Sequence, residues 1–473
     1  MMNSTLLLLI VATFCFRGSH FQKRLGIKDT LAPVPCDLDV KFFKTRIDKF
    51  GTVTNKTFNM RYVICNKYFR DGGPILFYTG NEGNVFSYVN NTQLMYEVGD
   101  ELNGILVFAE HRYFGKSVIE EGRNKMYLSA EYALADYADF LVWFKKSYPG
   151  VKNSPVISFG GSYGGMLTAW FRLKYPFIVH GAVAGSAPVA YFKGLTSQYA
   201  YQQVVTNDFA NISSTCSSLI KKSWTVFDDI GSTAEGRQKL TNLFKICNKN
   251  ALTNDVSPLT GLLNNMYGDL AMMNYPYPIN YLEPLPGHPV KKSCAFLNND
   301  SMSDWELMKN IFYIANFYYN YTGNTNCISL SDNSPAADTA LWDFLACTEM
   351  IMPIGSNGVT DMFPKSPFDF KSNAISCEKQ FGVTPRTYWI ETEFGGRNYN
   401  SASNIIFSNG GLDPWHPGGV LSSPNKDITI IFMPEGAHHL DLFGTNPNNP
   451  PQVNEQIAKE KSVIRGWVES YNL

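Results

Sequence analysis

The chain has 473 residues, 44% of them hydrophobic and only 17% charged, with a formal net charge of -1. Length and apolar content suffice for a large core and for more than one structural unit. The balanced charge excludes a strongly basic face, and with it nucleic acid as a partner.

The N-terminus opens on an apolar run, Leu6 to Phe16, of signal-peptide length and too short to span a bilayer comfortably. No Lys or Arg precedes it, and Gly18 and Ser19 are the nearest candidates for a cleavage site. Residues 1–20 are read as a secretory signal. No later run reaches about eighteen apolar residues, so no membrane association is expected after its removal. Of nine cysteines, Cys15 falls in the signal and eight remain, Cys36, Cys65, Cys216, Cys247, Cys294, Cys327, Cys347 and Cys377. An even count in an exported chain suggests disulfides, whose pairing spacing alone does not give. The absence of Cys-x-x-Cys disfavours redox catalysis and zinc ribbons, and neither metal nor cofactor is expected. Asn-x-Ser/Thr acceptors at Asn55, Asn90, Asn211, Asn299 and Asn320 predict surface glycans.

From about Thr45 to Val189, short apolar strands alternate with helix-like segments. Pro74 to Thr79 and Gly104 to Ala109 read as strands buried on both faces. Leu128 to Tyr148 reads as a helix capped by Ser129, with acids early and Lys145 and Lys146 late, as the helix dipole favours. Strands are expected around Ser158 and over Gly181 to Ala184. From about Phe192 to Ala340 the chain turns polar, Asn-rich and helix-like, and holds four of the eight remaining cysteines. It reads as a helical insertion stapled by disulfides. Strand patterns return at Asn404 to Phe407 and Ile428 to Phe432, and Val453 to Tyr471 has helical spacing. Alternating strands and helices around one insertion predict an α/β domain with a mostly parallel sheet.

The chemistry centres on Gly160-Gly161-Ser162-Tyr163-Gly164, a Gly-x-Ser-x-Gly motif between the apolar run Pro155 to Phe159 and a helix-like Met166 to Tyr175. Strand, sharp turn and helix are the context of a nucleophile elbow, where only small neighbours fit beside a strained serine. A serine hydroxyl needs a base, and the base needs an orienting acid. In α/β-hydrolases the acid and then the histidine follow the serine in the chain. His438, in the small-residue loop Glu435 to His439 after a strand, is the expected base, with His439 packed behind it. Asp413, on the loop after the preceding strand, is the expected acid, and Asp441 is its rival. The Tyr163 N–H and a second N–H from the loop Thr79 to Gly83, at Gly80 or Asn81, are the expected oxyanion hole.

The motifs Thr79 to Gly83, Glu110 to Gly115, Ala133 to Asp136, Gly160 to Gly165, Asn409 to Trp415 and Gly436 to Leu442 together resemble the S28-type serine carboxypeptidases, from about residue 43 to the C-terminus. The resemblance implies an α/β-hydrolase domain over 21–177 and 331–473, with a helical cap over 178–330. It implies the triad Ser162, Asp413 and His438 and cleavage beside proline, with Met166, Met352 and Trp415 as the proline pocket. Thioether and indole walls suit a compact apolar ring. It also implies the disulfides Cys216–Cys294, Cys247–Cys327 and Cys347–Cys377, and leaves over Cys36 and Cys65, whose pairing stays open because the resemblance does not supply that bond. Homodimers occur in the family. Two departures stand out: Phe443 replaces an Arg usual after His-His-Leu-Asp-Leu, and Asp48-Lys49-Phe50 replaces Asp-His-Phe.

The expected activity is that of a secreted or lysosomal serine exopeptidase releasing the C-terminal residue after proline, since Cys347 to Pro353 and Asn357 to Phe363 resemble the carboxypeptidase branch more than the dipeptidyl-peptidase branch. The alternative is release of N-terminal X-Pro dipeptides, which needs an acid for the substrate amine, with Glu82 and Glu349 as candidates. A lipase or esterase expects a large apolar lid, and a non-catalytic binding module expects a lost triad member.

Overall fold

A computed structural model describes residues 34–52, 54–119, 125–330 and 337–471. The expected signal at 1–20, with Cys15, lies outside them. The strands are β1 Asp39–Arg46, β2 Thr57–Cys65, β3 Ile75–Thr79, β4 Ile105–Ala109, β5 Val156–Gly161, β6 Gly181–Gly185, β7 Ile279–Asn280, β8 Pro284–Leu285, β9 Ile405–Gly410 and β10 Ile428–Met433. The helices are α1 Phe86–Val89, α2 Gln93–Leu102, α3 Ala130–Ser147, α4 Tyr163–Lys174, α5 Ala200–Ile212, α6 Ser214–Gly231, α7 Ala234–Leu243, α8 Ser257–Met272, α9 Pro289–Cys294, α10 Asp304–Tyr319, α11 Ala337–Thr348, α12 Phe370–Phe381, α13 Trp389–Phe394 and α14 Pro451–Tyr471.

One sheet of eight strands runs in the order β1-β2-β4-β3-β5-β6-β9-β10. From β4 to β10 every pairing is parallel, while β1, β2 and β4 pair antiparallel. This is the α/β-hydrolase fold. β3, β4, β5 and β6 are buried along their whole length, which is why they read as continuous apolar runs. Ser129 caps α3 as expected, accepting from the Tyr132 N–H. The hairpin of β1 and β2 was not expected. β1 is an edge strand that turns Lys41 and Lys44 outward, so its apolar pattern is thin.

One apolar core lies on the sheet face carrying α3 and α4. The other runs without a break from the opposite face, at Leu76 and Phe108, into α5, α6, α8 and α10, at Phe209, Trp224, Tyr267 and Ile311. The polar, Asn-rich composition of this stretch therefore describes its surface and not its interior. Cys216–Cys294 joins α6 to α9, Cys247–Cys327 joins the loops after α7 and α10, and Cys347–Cys377 joins α11 to α12. The pair left open by the sequence, Cys36 and Cys65, is bonded, fastening the segment before β1 to the end of β2. No helix among the described residues is long and apolar enough to cross a membrane. Asn55, Asn90, Asn211 and Asn299 are exposed, whereas Asn320 is half-buried, its amide oxygen accepting from the Thr325 N–H.

A buried ion pair locks α3 to the sheet. The Arg112 guanidinium, after β4, donates to both carboxylate oxygens of Asp136 at 2.7 and 2.9 Å, and to the carbonyls of Ile47 and Tyr127. Lys49, at the departure noted near the start of the chain, reaches Asp136 at 3.2 Å and Asp139 at 2.6 Å. Removing one partner of a fully buried pair strands the other charge. Asp136→Ala is expected to lower unfolding stability by about 3–5 kcal/mol, measured by urea titration.

Candidate active site

Three loops meet at the C-terminal end of the parallel strands, where ligands of open α/β sheets bind. The first is the elbow. Ser162 has φ 59° and ψ -127°, a region costing a non-glycine residue on the order of 1–3 kcal/mol. The Ser162 N–H donates to the Gly185 carbonyl at the end of β6. Thr79 Oγ1 donates to the Gly164 carbonyl at 2.8 Å, and Asn81 Nδ2 to the Gly161 carbonyl at 2.7 Å. A Cβ on Gly160 would stand 2.1 Å from the Gly164 carbonyl, and one on Gly164 would stand 2.1 Å from Asn81 Oδ1. Tyr163 opens α4, so its N–H lies among the first-turn donors that have no partner inside a helix.

The other two loops carry the acid and the imidazole. Asp413 follows β9 and His438 follows β10, and both are fully buried. His438 Nδ1 lies 2.9 Å from Asp413 Oδ2, while Asp413 Oδ1 accepts from the Trp415 N–H. The loops are stitched together by Leu412 N–H donating to the Gly436 carbonyl, and a Cβ on Gly410 would stand 2.3 Å from that same oxygen. Hence the small residues before His438. The following residue, His439, donates its N–H to Ser186 Oγ just past β6, and its ring faces Gly161. The imidazole loop and the elbow thus share the ends of β5 and β6. His438 Nε2 is buried and makes no hydrogen bond among the described residues, so the bond to Ser162 Oγ is not closed in this structure. Apo geometry at such sites is often loose.

The remaining expected residues divide. Ser162, Tyr163, Met166, Met352, Trp415 and Glu82 line one pocket, which is open to solvent on one side. Gly80 and Asn81 sit behind the elbow, Gly80 accepting from the Tyr137 hydroxyl through its carbonyl. Asp441 does not touch the His438 ring and instead accepts from Ser408 Oγ at 2.6 Å. Glu349 accepts from the Ala130 N–H and pairs with Arg386, which ties it to the start of α3. Burial raises it to about 7, against the opposing pull of Ala130 and Arg386. His416 holds its own loop by a contact with the Asp413 carbonyl.

Sequence reasoning missed the side chains that the helical segment and its neighbours bring to this place. Met272 and Asp269 of α8 line the pocket with Tyr201 of α5. The Met272 carbonyl accepts from the His438 N–H, and the Tyr275 hydroxyl donates to the His438 carbonyl. The Trp415 indole N–H contacts Met272 Sδ at 3.3 Å. Ser186 was also missed; a serine directly after a small-residue strand was its only trace. His111 stands behind Tyr163, 3.2 Å from its hydroxyl, and burial pushes it down to about 3.

Residues 45–460 match the family described as serine carboxypeptidase S28. The chain belongs to that family. Lysosomal Pro-X carboxypeptidase of Homo sapiens is 41% identical over 450 residues, covering 93% of this chain and 90% of the relative. The Mus musculus protein of the same name is 42% identical, covering 91% and 89%. Prolyl carboxy peptidase like protein 5 of Caenorhabditis elegans is 36% identical, covering 98% and 97%.

In this S28 chain, the Phe443 ring meets those of Tyr275 and Tyr281 edge-on and that of His439 at a tilt. Burial, and then the neighbouring His438, hold His439 well below the usual imidazole range. Asp208 of α5 is a further perturbed group, close enough to Asp413 to feel its charge. Burial, and then the charge of Asp413, raise it to about 9.

Two predictions follow from these contacts. Gly164→Ala must displace Asn81 or the elbow, and a misplacement of about 1 Å costs about 100-fold in rate, to be read as kcat against an ester or peptide reporter. For Asp208, the folded state holds its proton while the unfolded state releases it above about pH 4. The folded state therefore loses relative stability as pH rises from about 4 towards about 9. Asp208→Asn should remove that loss, gaining at least about 1.4 kcal/mol on wild type between acidic and alkaline urea titrations.

Proposed function

We propose that the chain is a serine carboxypeptidase that releases the residue following a C-terminal-side proline. The observation that carries this reading is the convergence of the elbow serine and an Asp413-bonded imidazole at one sheet end, beside a pocket walled by Met166, Met352 and Trp415. The relatives named Pro-X carboxypeptidase support it.

In this mechanism Ser162 Oγ attacks the prolyl carbonyl carbon, and His438 Nε2 takes the hydroxyl proton. Asp413 keeps the imidazole in the tautomer with Nδ1–H and balances the charge that forms. The Tyr163 N–H and a backbone N–H at Gly80 or Asn81 hold the oxyanion; the Asn81 side chain is already committed to Gly161. His438 returns the proton to the leaving amine, and water clears the prolyl ester by the same route. Met166, Met352 and Trp415 grip the proline ring, and the helices within 178–330 close the site as a cap on the hydrolase core of 21–177 and 331–473.

A second reading has its own observation. The pocket walls carry two acids, Glu82 and Asp269, and no basic side chain among the described residues, as a dipeptidyl peptidase would want for a substrate amine. Four disulfides support the secretory pathway, with removal of the signal at 1–20. Within it we place the protein in the lysosome, on the names of its relatives. A homodimer rests on family resemblance alone and is checked by light scattering.

A fluorophosphonate probe should label the wild type and not Ser162→Ala. The wild type should release Phe from benzyloxycarbonyl-Pro-Phe and leave Lys-Pro-reporter substrates intact. The reverse preference would establish the dipeptidyl peptidase and overturn the carboxypeptidase.

A further inference from the structure

A second, largely apolar cavity lies against the pocket that holds Ser162. Ala346 of α11, then Met350, Ile351 and Ile354, and then Phe368 and Asn373 line it. Asn373 brings its one amide, and no charged side chain lines it among the described residues. The Cys347–Cys377 disulfide holds α11 to α12 and so fixes the frame around it. Trp342, Met352 and Trp415 line both cavities and therefore stand between them. The three are not held alike. Trp342 is buried, with its ring edge-on to that of Tyr163 at 5.3 Å. Trp415 is buried too, meets the rings of Tyr191 and Tyr201 edge-on, and sets its indole N–H on Met272 Sδ. Met352 is only half-buried. Its main chain is tied, the N–H donating to the Met350 carbonyl at 2.9 Å. Its side chain is unbranched and turns about three bonds, which makes it the adaptable member of the wall.

We infer that Met352 is the partition that limits the Ser162 pocket to proline: its thioether closes the pocket off from the second cavity, and a longer apolar side chain on the acyl side of the scissile bond is refused because it would have to enter there. The inference rests on the reading that a proline ring occupies the pocket. It holds for either exopeptidase, since both place proline on the acyl side. A proline side chain folds back onto its own backbone nitrogen. A leucyl side chain instead extends away from the main chain and needs depth. With the thioether cut back, the two cavities merge into one apolar slot of the kind that takes an aliphatic group. One methylene of apolar pocket discriminates by about 10- to 200-fold, so a change of several atoms at Met352 is large enough to reset the preference.

The measurement is kcat/KM for benzyloxycarbonyl-Pro-Phe and benzyloxycarbonyl-Leu-Phe, or for Lys-Pro- and Lys-Leu-reporter substrates where the wild type prefers those. Met352→Ala should raise the Leu-to-Pro ratio by at least about tenfold. Met352→Leu, of nearly the same volume, should leave the ratio within about threefold of wild type. Met352→Val opens the wall less, and it should move the ratio in the same direction if Met352→Ala does not fold. Ala346→Leu fills the second cavity without touching the first. Alone it should leave hydrolysis of the proline substrate unchanged, and added to Met352→Ala it should bring the ratio back to within about threefold of wild type. A ratio unmoved in the folded Met352 variants would overturn the inference. So would a rise that Ala346→Leu leaves in place, because the added room would then lie elsewhere. A wild type with no preference for proline would overturn the pocket reading and the inference with it, a result seen before any variant is compared.

Discussion

The geometry of the site hangs on one strained backbone position. Ser162 can be held at positive φ only because its surroundings leave it no alternative. Its N–H is committed to Gly185, the next turn is held by Thr79, and Asn81 bridges back to the Gly161 carbonyl. These bonds come from the end of β6 and from the end of β3 with the loop after it. The strain is therefore sustained by the register of β3, β5 and β6, not by the motif itself, and the glycines are required because β-carbons would fill the space those bonds close. The same loop after β3 that braces the elbow also carries Gly80 and Asn81, the candidate oxyanion donors.

The helical segment is more than a cover. The main-chain groups of His438 are held by the Met272 carbonyl and the Tyr275 hydroxyl, both contributed by that segment. Met272 also meets the Trp415 indole, and Trp415 in turn donates its backbone N–H to Asp413. Asp413, His438 and Trp415 thus share anchors at the end of α8 and the turn after it. This explains why the apolar core runs uninterrupted from the sheet into these helices. The Met272–Tyr275 turn thus fixes the main chain of His438 from the side opposite the sheet loops.

Much of this was legible because parallel sheets force the relevant residues into telltale settings. Strands buried on both faces are apolar throughout, and the loops after them must be small where they approach one another, which is how Gly160, Gly164 and Gly436 betray the site. Asp413 and His438 were placed on the loops after β9 and β10 by chain order and by the small residues before them, and the structure brings the two side chains within 2.9 Å of each other. What was not legible has equally physical causes. β1 lies at an edge with a solvated face, so its sequence, rich in lysine, lacks a strand's apolar signature. The interior of the helical segment was masked by Asn-rich surfaces, since helices need only one apolar stripe. Asp269, Met272 and Ser186 could not be found because their roles exist only once distant elements meet. The bond between Cys36 and Cys65 needed coordinates for the same reason, as spacing carries no pairing information.

The buried titratable groups around the site pull stability in opposite directions. Glu349, raised to about 7, and Asp208, raised to about 9, are neutral in the fold where their unfolded counterparts ionise, so they erode stability as pH rises from about 4 upward. Asp441 and Glu460, buried within reach of each other beneath the imidazole loop, act in the same sense. His111 and His439 do the reverse. Both stay neutral in the fold, so they erode stability as pH falls below about 6.5, where the unfolded imidazole charges. The two sets leave a mildly acidic window in which neither cost is fully developed. Phe443 contributes to it by surrounding His439 with rings rather than a guanidinium. An arginine there would have kept a permanent charge beside a buried imidazole. With phenylalanine, the environment of the second histidine is set by burial and by its neighbour His438, and its protonation becomes a matter of exposing the loop.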